Sequence, residues 1–262
     1  MTPSLRTPVR ISLSVWKALF LRESLSRLFS ARAAWFWLLA EPVFHVTYLM
    51  VLFGVIRVHS VGGVDTALWI MFGLLSFFMF RRTGTQMMHA IRANRALFAY
   101  RQIKPVDSVL VRGVLEGFLM IIVIGLMLAG TALLGYSVMP ADPLAVLSAF
   151  FSLWLVGMGF GLVVSAIAEL VPELERIIKL IMMPMYFISG VIFPIAAVPQ
   201  PYRDWLLLNP VAHGLEAVRL GFASYYHAVP ELSVDYLYRF ALVSLFLGLA
   251  LHRRFALRLA TQ

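Results

Sequence analysis

Six long apolar segments constrain this chain more than any other feature of its sequence. They cover residues 35–56, 66–80, 109–135, 144–168, 177–193 and 236–251. A helix needs about 20 apolar residues to cross a bilayer, so each segment predicts a transmembrane helix, with the second and the sixth extending slightly beyond these limits. The chain is 61% hydrophobic and 13% charged, whereas soluble domains average about 45–50% and about 25%. We therefore expect an all-α polytopic membrane protein, with one domain over residues 1–262.

The basic residues are distributed unevenly between the two sides that six spans define. The side that holds both termini carries 18 of the 22 lysines and arginines, and the other side carries 4. Cytoplasmic loops of membrane proteins are enriched in these residues, so the bias places both termini in the cytoplasm. Topology and anionic lipid head groups then explain the net charge of +9 without a nucleic-acid partner. The sequence contains no cysteine, which excludes disulfide and thiol chemistry.

The first 34 residues are predicted to form a cytoplasmic and interfacial segment. They are basic and lack a long apolar core, so they do not have the pattern of a cleavable signal peptide. Within them, residues 11–29 have an apolar side and a charged side, which indicates an amphipathic helix in the plane of the membrane interface. Trp35, Phe36 and Trp37 mark the head-group level where the first span begins. This helix is either a topological anchor or part of a gate or lateral entrance.

Residues 194–235 are too polar for a span and too apolar for a simple extramembrane loop. The stretch from 190 to 219 contains four prolines and four charged side chains. Irregular backbone lies at membrane depth only where protein or a water-filled cavity satisfies its polar groups. We therefore predict a re-entrant hairpin of two short helices on the outer side, called the outer hairpin below. This construction suggests a protein that moves something across a membrane.

Residues 81–108, called the basic segment below, follow the second span on the cytoplasmic side. Helix formers dominate residues 86–100, and Pro105 ends this pattern. Apolar residues share this stretch with several arginines, so we expect a short amphipathic helix that a soluble partner could bind in a groove. The alternative interpretation is a solvated basic loop that lies on anionic lipid.

Few ionisable residues lie within or near the spans, and such residues are functional candidates. Glu41 precedes Pro42, and His45 follows one turn later. Both are candidates for contact with a substrate or for gating, and the alternative for Glu41 is a carboxylate paired at the interface. Arg112 and Glu116 have the i, i+4 spacing of an ion pair on one helix face.

The sequence lacks the usual catalytic and nucleotide-binding motifs. It has no G-x-x-x-x-G-K-[ST], no H-E-x-x-H and no G-x-S-x-G. The glycine-rich run 157–161 lies in an apolar span, and with Ser165 it predicts close packing between helices, as do Gly113 and Gly117. The acidic residues are dispersed. We therefore expect no enzyme activity, no metal and no cofactor in this chain.

The sequence resembles the permease subunits of ABC-2-type exporters over essentially its whole length. The six spans with both ends inside, the basic segment and the outer hairpin carry this resemblance. The most distinctive residues are Ser-Gly-Val-Ile-Phe-Pro at 189–194, Asn209, Pro210, His213, Glu216 and Arg219. Residues 39–42, the run Arg-Ala-Asn-Arg at 92–95 and Pro105 resemble the branch that exports capsular polysaccharide.

The resemblance implies a permease in the bacterial inner membrane without an ATPase of its own. Two copies would pair around a central path, and each would bind a separate ATPase subunit that holds ATP and Mg²⁺. The cargo would be a lipid-linked capsular polysaccharide, passed to a periplasmic adaptor and an outer-membrane export protein. The ATPase contact would involve Arg92, Asn94, Arg95, Leu97, Phe98, Arg101 and Lys104. The outer end of the path would be lined or plugged by Phe193, Trp205, Asn209, His213, Glu216 and Arg219.

Charge alone suggests a further role for Arg32, Arg81 and Arg82 near the cytoplasmic mouth. They would attract an anionic lipid phosphate or sugar acids, and the rival explanation is the positive-inside bias alone. Permeases for O-antigen, teichoic acid or small drugs share the same layout. A polytopic glycan-processing enzyme would need clustered acidic or histidine residues, and a secondary carrier often has internal repeats.

Overall fold

The chain forms eleven α-helices and one short β-hairpin in the part that the structure describes, which covers residues 8–29, 33–56, 60–100 and 102–261 of a computed structural model. The helices are α1 (Pro8–Phe29), α2 (Ala34–Ile56), α3 (Thr66–Met88), α4 (Ala90–Ala93), α5 (Pro105–Leu133), α6 (Pro143–Leu170), α7 (Leu174–Ile188), α8 (Tyr202–Leu206), α9 (Pro210–Phe222), α10 (Val234–Arg254) and α11 (Ala256–Thr261). Two 3-10 turns cover Arg95–Ala99 and Ile195–Ala197, and antiparallel strands β1 (Ser60–Val61) and β2 (Val64–Asp65) precede α3. The mainly helical fold predicted from the sequence is confirmed.

Four of the described helices are long and apolar enough to cross a membrane. They are α2 over Trp35–Gly54, and α5, α6 and α10 over their full lengths. The other two predicted spans correspond to α3, which carries Arg81 and Arg82 near its end, and to α7. With 15 residues, α7 rises only about 22 Å, less than the hydrocarbon thickness of about 30 Å. It ends at Ile188, earlier than expected, because Gly190 takes a φ of 73° and turns the chain. The count of six spans stays a prediction.

Helix α3 lies at the centre of the fold. Every residue from Thr66 to Phe80 is buried, and the helix packs against α2, α5, α6 and α9. Asp65 begins the helix, since its carboxylate accepts hydrogen bonds from the backbone N–H of Ala67 at 2.9 Å and of Leu68 at 3.4 Å. The stretch from Thr66 to Phe80 has no polar face, and the surrounding helices enclose it within the protein.

The outward faces of α2, α5, α7 and α10 expose large apolar side chains. Phe44, Val51, Ile121, Leu180 and Phe246 are each more than half exposed. Soluble proteins rarely leave contiguous apolar surface of this extent in water. These faces therefore suit contact with lipid or with another protein chain.

Small residues bring α6 close to α3 and α5. A Cβ atom placed on Gly157 would lie 2.9 Å from the carbonyl oxygen of Phe80 and 3.0 Å from Cβ of Thr83, closer than ordinary contact allows. Gly117 leaves room for Trp154, whose indole N–H donates to a carbonyl oxygen of α5 at 3.0 Å. The close helix packing predicted at these glycines is confirmed.

We expect Gly157→Ala to lower the free energy of unfolding by about 1–3 kcal/mol, because the added methyl group overpacks the seam. Gly125→Ala is the matched control, since a Cβ there meets no atom within 4 Å. It should be neutral or stabilise by about 0.5–1 kcal/mol, because glycine weakens a helix. Thermal unfolding of the detergent-solubilised protein measures both effects. Equal shifts for the two variants would contradict this packing role.

Candidate functional site

Five charged side chains from three helices form a buried inner cluster, which consists of Glu23, Arg27, Arg82, Arg112 and Glu116. Glu116 on α5 is fully buried and pairs with Arg27 of α1 and with Arg82 of α3, whose Nε lies 3.6 Å from Oε2. Glu23 of α1 pairs with Arg27 and with Arg112. The i, i+4 pair expected between Arg112 and Glu116 is thus replaced by pairs between helices, because α1 brings a second carboxylate and another arginine to this face.

The inner cluster turns the charged side of α1 into the protein and its apolar side outward. Leu13, Leu21, Leu25 and Phe29 are more than half exposed, which agrees with a helix in the membrane interface. Burial lowers the pKa of Arg27 to about 10, so this arginine remains protonated at neutral pH. Removal of one partner from a buried ion pair is strongly destabilising. Charge pairing therefore helps to attach α1 to the other helices.

The basic segment is helical for much of its length, but it is not one continuous helix. Helix α3 extends into it as far as Met88, and α4 and the first 3-10 turn follow. The helix predicted over 86–100 is interrupted at His89 and at Asn94. Pro105, which was expected to end that helix, lies in the first turn of α5, where a missing N–H is tolerated.

Three residues that were predicted to contact a partner are turned partly into the protein. Asn94 is buried, donates to the carbonyl oxygen of Ala90 at 2.9 Å and accepts a hydrogen bond from Arg22 of α1 at 2.7 Å. Leu97 and Phe98 are half-buried, and Phe98 packs against apolar side chains of α3 to α6. These contacts fix the shape of the basic segment, while a direct role of the three residues in partner binding stays a prediction.

Other residues of the basic segment are free to meet a partner. Lys104 is exposed at the start of α5, and Arg101 lies outside the described residues. Ala96 is exposed, and Tyr100 is 66% exposed. Neither of these last two residues is identifiable from the sequence, because a small apolar residue and a single tyrosine carry no recognisable binding signal.

Arg92 and Arg95 of the basic segment bind acidic residues where α6 ends and α7 begins. Arg92 donates to Oε2 of Glu175 at 2.5 Å and to a carbonyl oxygen of α6 at 2.8 Å, and its Nε lies 3.3 Å from Oε2 of Glu169. Arg95 also pairs with Glu169, whose side chain is only 3% exposed. Lys179 donates to Glu175 from one turn further along α7, at 2.7 Å. The basic segment is thus joined by ion pairs to the connection between α6 and α7.

His89 lies beside this group of ion pairs, with Nδ1 3.8 Å from Oε1 of Glu175. Burial lowers the pKa of His89 below its usual value, and this effect outweighs the attraction of the carboxylate. The imidazole is therefore neutral at pH 7. Arg92 and Lys179, rather than His89, balance the charge of Glu175.

A second group of polar side chains, the outer cluster, surrounds Arg219 of α9, which is fully buried. Its guanidinium donates to Oε1 of Glu216 at 2.9 Å and to the carbonyl oxygens of Gly190 at 2.9 Å and Val191 at 3.2 Å. Its Cζ lies 3.5 Å from the centroid of the Trp69 ring on α3, a cation–π contact. Gly190 and Val191 lie two and three residues beyond the end of α7, so Arg219 places its positive charge near the carbonyl end of that helix, where a positive charge is favoured.

Tyr226 completes the outer cluster. Its hydroxyl donates to Glu216, with both carboxylate oxygens at 3.1 Å, and accepts the indole N–H of Trp69 at 3.3 Å. Burial raises the pKa of Tyr226 to about 12, so it keeps the proton that it donates. Gly73 of α3 provides the space for the guanidinium, because a Cβ there would collide with Arg219. Glu216 and Arg219 therefore hold the outer hairpin against α3 and α7.

Two more of the predicted hairpin residues also have partners within the chain. Asn209 begins α9, accepts the N–H of Val211 at 3.0 Å and donates to the hydroxyl of Ser189 at 2.8 Å. Nδ1 of His213 accepts the N–H of Ser233 at 3.1 Å, and Nε2 lies 2.8 Å from a carbonyl oxygen that precedes α9. These residues support the hairpin from inside.

The hairpin residues that reach the surface are apolar or aromatic. Trp205 is 75% exposed, and Phe193 is half-buried. Tyr202 and Leu208 are also more than half exposed. A role in lining or plugging a path stays a prediction for all of the hairpin residues named from the sequence, and of the six only Trp205 is mostly exposed.

Three of the residues named as substrate or gating candidates are exposed on neighbouring helices. Glu41 and His45 of α2 and Arg81 of α3 are accessible, and His45 interacts electrostatically with both of the others. Arg82 instead points toward Glu116 of the inner cluster, and Arg32 lies outside the described residues. Within residues 8–29, 33–56, 60–100 and 102–261, no group of His, Asp or Glu side chains is arranged to hold a metal ion.

Replacement of Arg219 by methionine should lower the free energy of unfolding by about 3–5 kcal/mol, because Glu216 would stay buried without a counter-charge. Combining Arg219→Met with Glu216→Leu should recover much of this loss. Arg203→Met is the control, since its pair with Glu231 lies at the surface and contributes about 1 kcal/mol or less. Unfolding in detergent measures all three variants. An Arg219→Met effect as small as that of Arg203→Met would contradict the role of the outer cluster.

Comparison with known proteins gives a family match over most of the chain. The model of the ABC-2 type transporter family matches residues 14–223. The polysialic acid transport protein KpsM of Escherichia coli is 32% identical over 241 residues, which cover 90% of this chain and 92% of that protein. The capsule polysaccharide export inner-membrane protein CtrC of Neisseria meningitidis is 27% identical, covering 91% of this chain and 90% of its own length. BexB of Haemophilus influenzae, which has the same description, is 26% identical, covering 92% of this chain and 91% of its own length.

Proposed function

Because this chain belongs to the ABC-2 type transporter family, we propose that it is the membrane-spanning subunit of an ATP-driven exporter of capsular polysaccharide in a bacterial inner membrane. The observation that carries the proposal is the similarity to KpsM, which extends over 90% of this chain at 32% identity. CtrC and BexB, both named for capsule polysaccharide export, support the same substrate class. The cargo would be a lipid-linked polymer that moves outward.

The proposed topology has six spans, formed by α2, α3, α5, α6, α7 and α10, with both termini in the cytoplasm. The excess of lysine and arginine on one side supports this orientation. Helix α7 is short for a span, and the irregular backbone after it would extend its path through the membrane. Arg219 satisfies the carbonyl oxygens of Gly190 and Val191 in that stretch, as irregular backbone at membrane depth requires. The outer hairpin is then re-entrant from the periplasmic side.

Single cysteines test this topology without background labelling, because the chain has no cysteine of its own. We expect Tyr202→Cys in the outer hairpin to react with a membrane-impermeant maleimide added to the periplasmic side. Ala96→Cys in the basic segment, expressed without the ATPase, should react only after the inner membrane is permeabilised. Both positions are exposed, so access from one side decides the result. Labelling of both from the same side would contradict the topology.

The proposed partners are a second copy of this chain and two copies of an ATPase subunit, which would hold ATP and Mg²⁺. The lack of a phosphate-binding loop in the sequence is consistent with a separate ATPase. Exposed apolar faces such as those of α2 and α7 are available to a second copy. A periplasmic adaptor and an outer-membrane export protein would take the polymer onward.

The basic segment is the proposed ATPase contact, through its exposed residues rather than through buried Asn94. Ala96, Tyr100 and Lys104 are accessible. The ion pair of Arg92 with Glu175 holds the segment against the start of α7. A segment fixed by internal contacts is pre-organised for binding, which reduces the entropic cost of association.

We expect the double variant Ala96→Asp, Tyr100→Asp to reduce co-purification of the ATPase at least about tenfold, because both changes alter the centre of the contact. Surface polysaccharide should fall in parallel when this variant replaces the wild-type gene. Leu257→Asp on α11, where the side chain is 84% exposed, is the matched control for an added surface charge and should behave as wild type. Full retention of the ATPase by the double variant would exclude this contact, and normal surface polysaccharide in a gene-deletion strain would exclude capsule export.

Glu41, His45 and Arg81 are proposed to line the path of the cargo near its cytoplasmic end. Ionisable residues on helices of this kind face water or protein rather than lipid tails. Their exposure in the single chain supports a position on a surface between two copies. Arg81 would there attract the lipid phosphate or the sugar acids of the cargo.

A further inference from the structure

Helix α7 is held by charged contacts at both of its ends and is weakly packed between them. At the cytoplasmic end, Arg92 donates to Glu175 at 2.5 Å. At the outer end, Arg219 donates to the carbonyl oxygen of Gly190 at 2.9 Å. Within the described part of α7 only Met182 is buried, and Leu180 is 73% exposed. The helix therefore depends on its ends for its position.

The cytoplasmic contact connects α7 to the basic segment. Arg92 belongs to α4, and its guanidinium reaches Glu175 in the first turn of α7 and Glu169 near the end of α6. The pair with Glu175 is a charge-assisted hydrogen bond, which is shorter and stronger than a neutral one, and the pair with Glu169 is an ion pair with Nε and Oε2 3.3 Å apart. A displacement of α4 must therefore either break these pairs or move the start of α7 with it.

The outer contact connects α7 to the outer hairpin. Arg219 belongs to α9 and binds two carbonyl oxygens just beyond α7. Glu216 holds the guanidinium of Arg219, and Tyr226 in turn holds the carboxylate of Glu216. All of these groups are buried, so this connection is the more rigid of the two. A displacement of α7 would therefore carry α9 with it.

Helix α3 also runs from the outer cluster to the basic segment, but it is enclosed along its length. Its residues from Thr66 to Phe80 are all buried, and close-packed interiors resist sliding. Helix α7 has few neighbours within its own chain, so a shift of α7 disturbs less of the chain's core than a shift of α3 would. Of the two helices, α7 is the one suited to transmit a movement.

We propose that Glu175 is a positioning residue that transmits movement of the basic segment, through α7, to the outer hairpin. This inference rests on the proposed function, because ATPase closure supplies the movement. Glu175 acts through Arg92 and does not need to touch the ATPase or the cargo. The outer hairpin then moves as one body with α7, rather than opening by itself.

The test uses the complex of permease and ATPase in lipid nanodiscs, with a nitroxide at Tyr202→Cys, attached before the ATPase is added. The distance between the two labels of a permease pair is measured with and without a non-hydrolysable ATP analogue. Glu175→Ala should retain ATPase binding and ATP hydrolysis but lose the nucleotide-dependent distance change and polysaccharide export. Glu175→Asp should restore part of both. Glu173→Ala removes an exposed carboxylate two residues away and should behave as wild type.

Different readouts separate failure of this inference from failure of the proposed function. A wild-type permease that neither binds nor stimulates the ATPase overturns the function, and the inference with it. A normal complex in which Glu175→Ala keeps the full distance change, or in which the wild type shows none, overturns the inference alone. If Glu175→Ala does not assemble with the ATPase, the isosteric Glu175→Gln is used in its place. Loss of ATPase binding by Glu175→Gln as well would make Glu175 a docking or folding residue and would overturn the proposal.

Discussion

The contact between Arg219 and the backbone beyond α7 is the interaction on which the outer half of this protein depends. Irregular backbone at membrane depth has no water with which to satisfy its carbonyl groups. Arg219 donates to two carbonyl oxygens of the turn just beyond α7, and Glu216 supplies the opposite charge in the same buried space. The outer hairpin thereby stabilises the turn that follows α7.

The inner cluster solves a related problem by different means. Glu116 is fully buried on α5, and Arg27 of α1 and Arg82 of α3 pair with it. Helix α1 is thereby attached through its charged side, and several of its leucines remain exposed. Both clusters place charge where helices from distant parts of the sequence must meet, so they specify which helices pack together as well as how firmly.

The sequence predicted the mainly helical fold, because apolar length is a local pattern, while its six spans and its re-entrant outer hairpin stay predictions. It also predicted the close packing at Gly157, since small residues repeated on one face have few other uses. It did not predict the partners of Glu116. The i, i+4 spacing favoured Arg112, whereas Arg27, which is distant in the sequence, pairs with Glu116 in the fold. The early end of α7 was missed because an apolar run does not show that Gly190 takes a positive φ. The exposure of Ala96 was missed because it depends on how distant segments pack around the basic segment.

The two charged contacts of α7 differ in how exposed they are. This difference fits the proposal that movement starts on one side of the membrane. The side chain of Arg92 is 39% exposed and shares two carboxylates with Arg95 and Lys179, so water and alternative partners can replace one pair by another. Arg219 is fully enclosed, and if it moved away Glu216 would lose its counter-charge and two carbonyl oxygens would lose their donor. Rearrangement is therefore easier at the end of α7 that contacts the basic segment than at the end that contacts Arg219. In the proposed topology the end with the exchangeable contacts faces the cytoplasm, where the proposed ATPase would act.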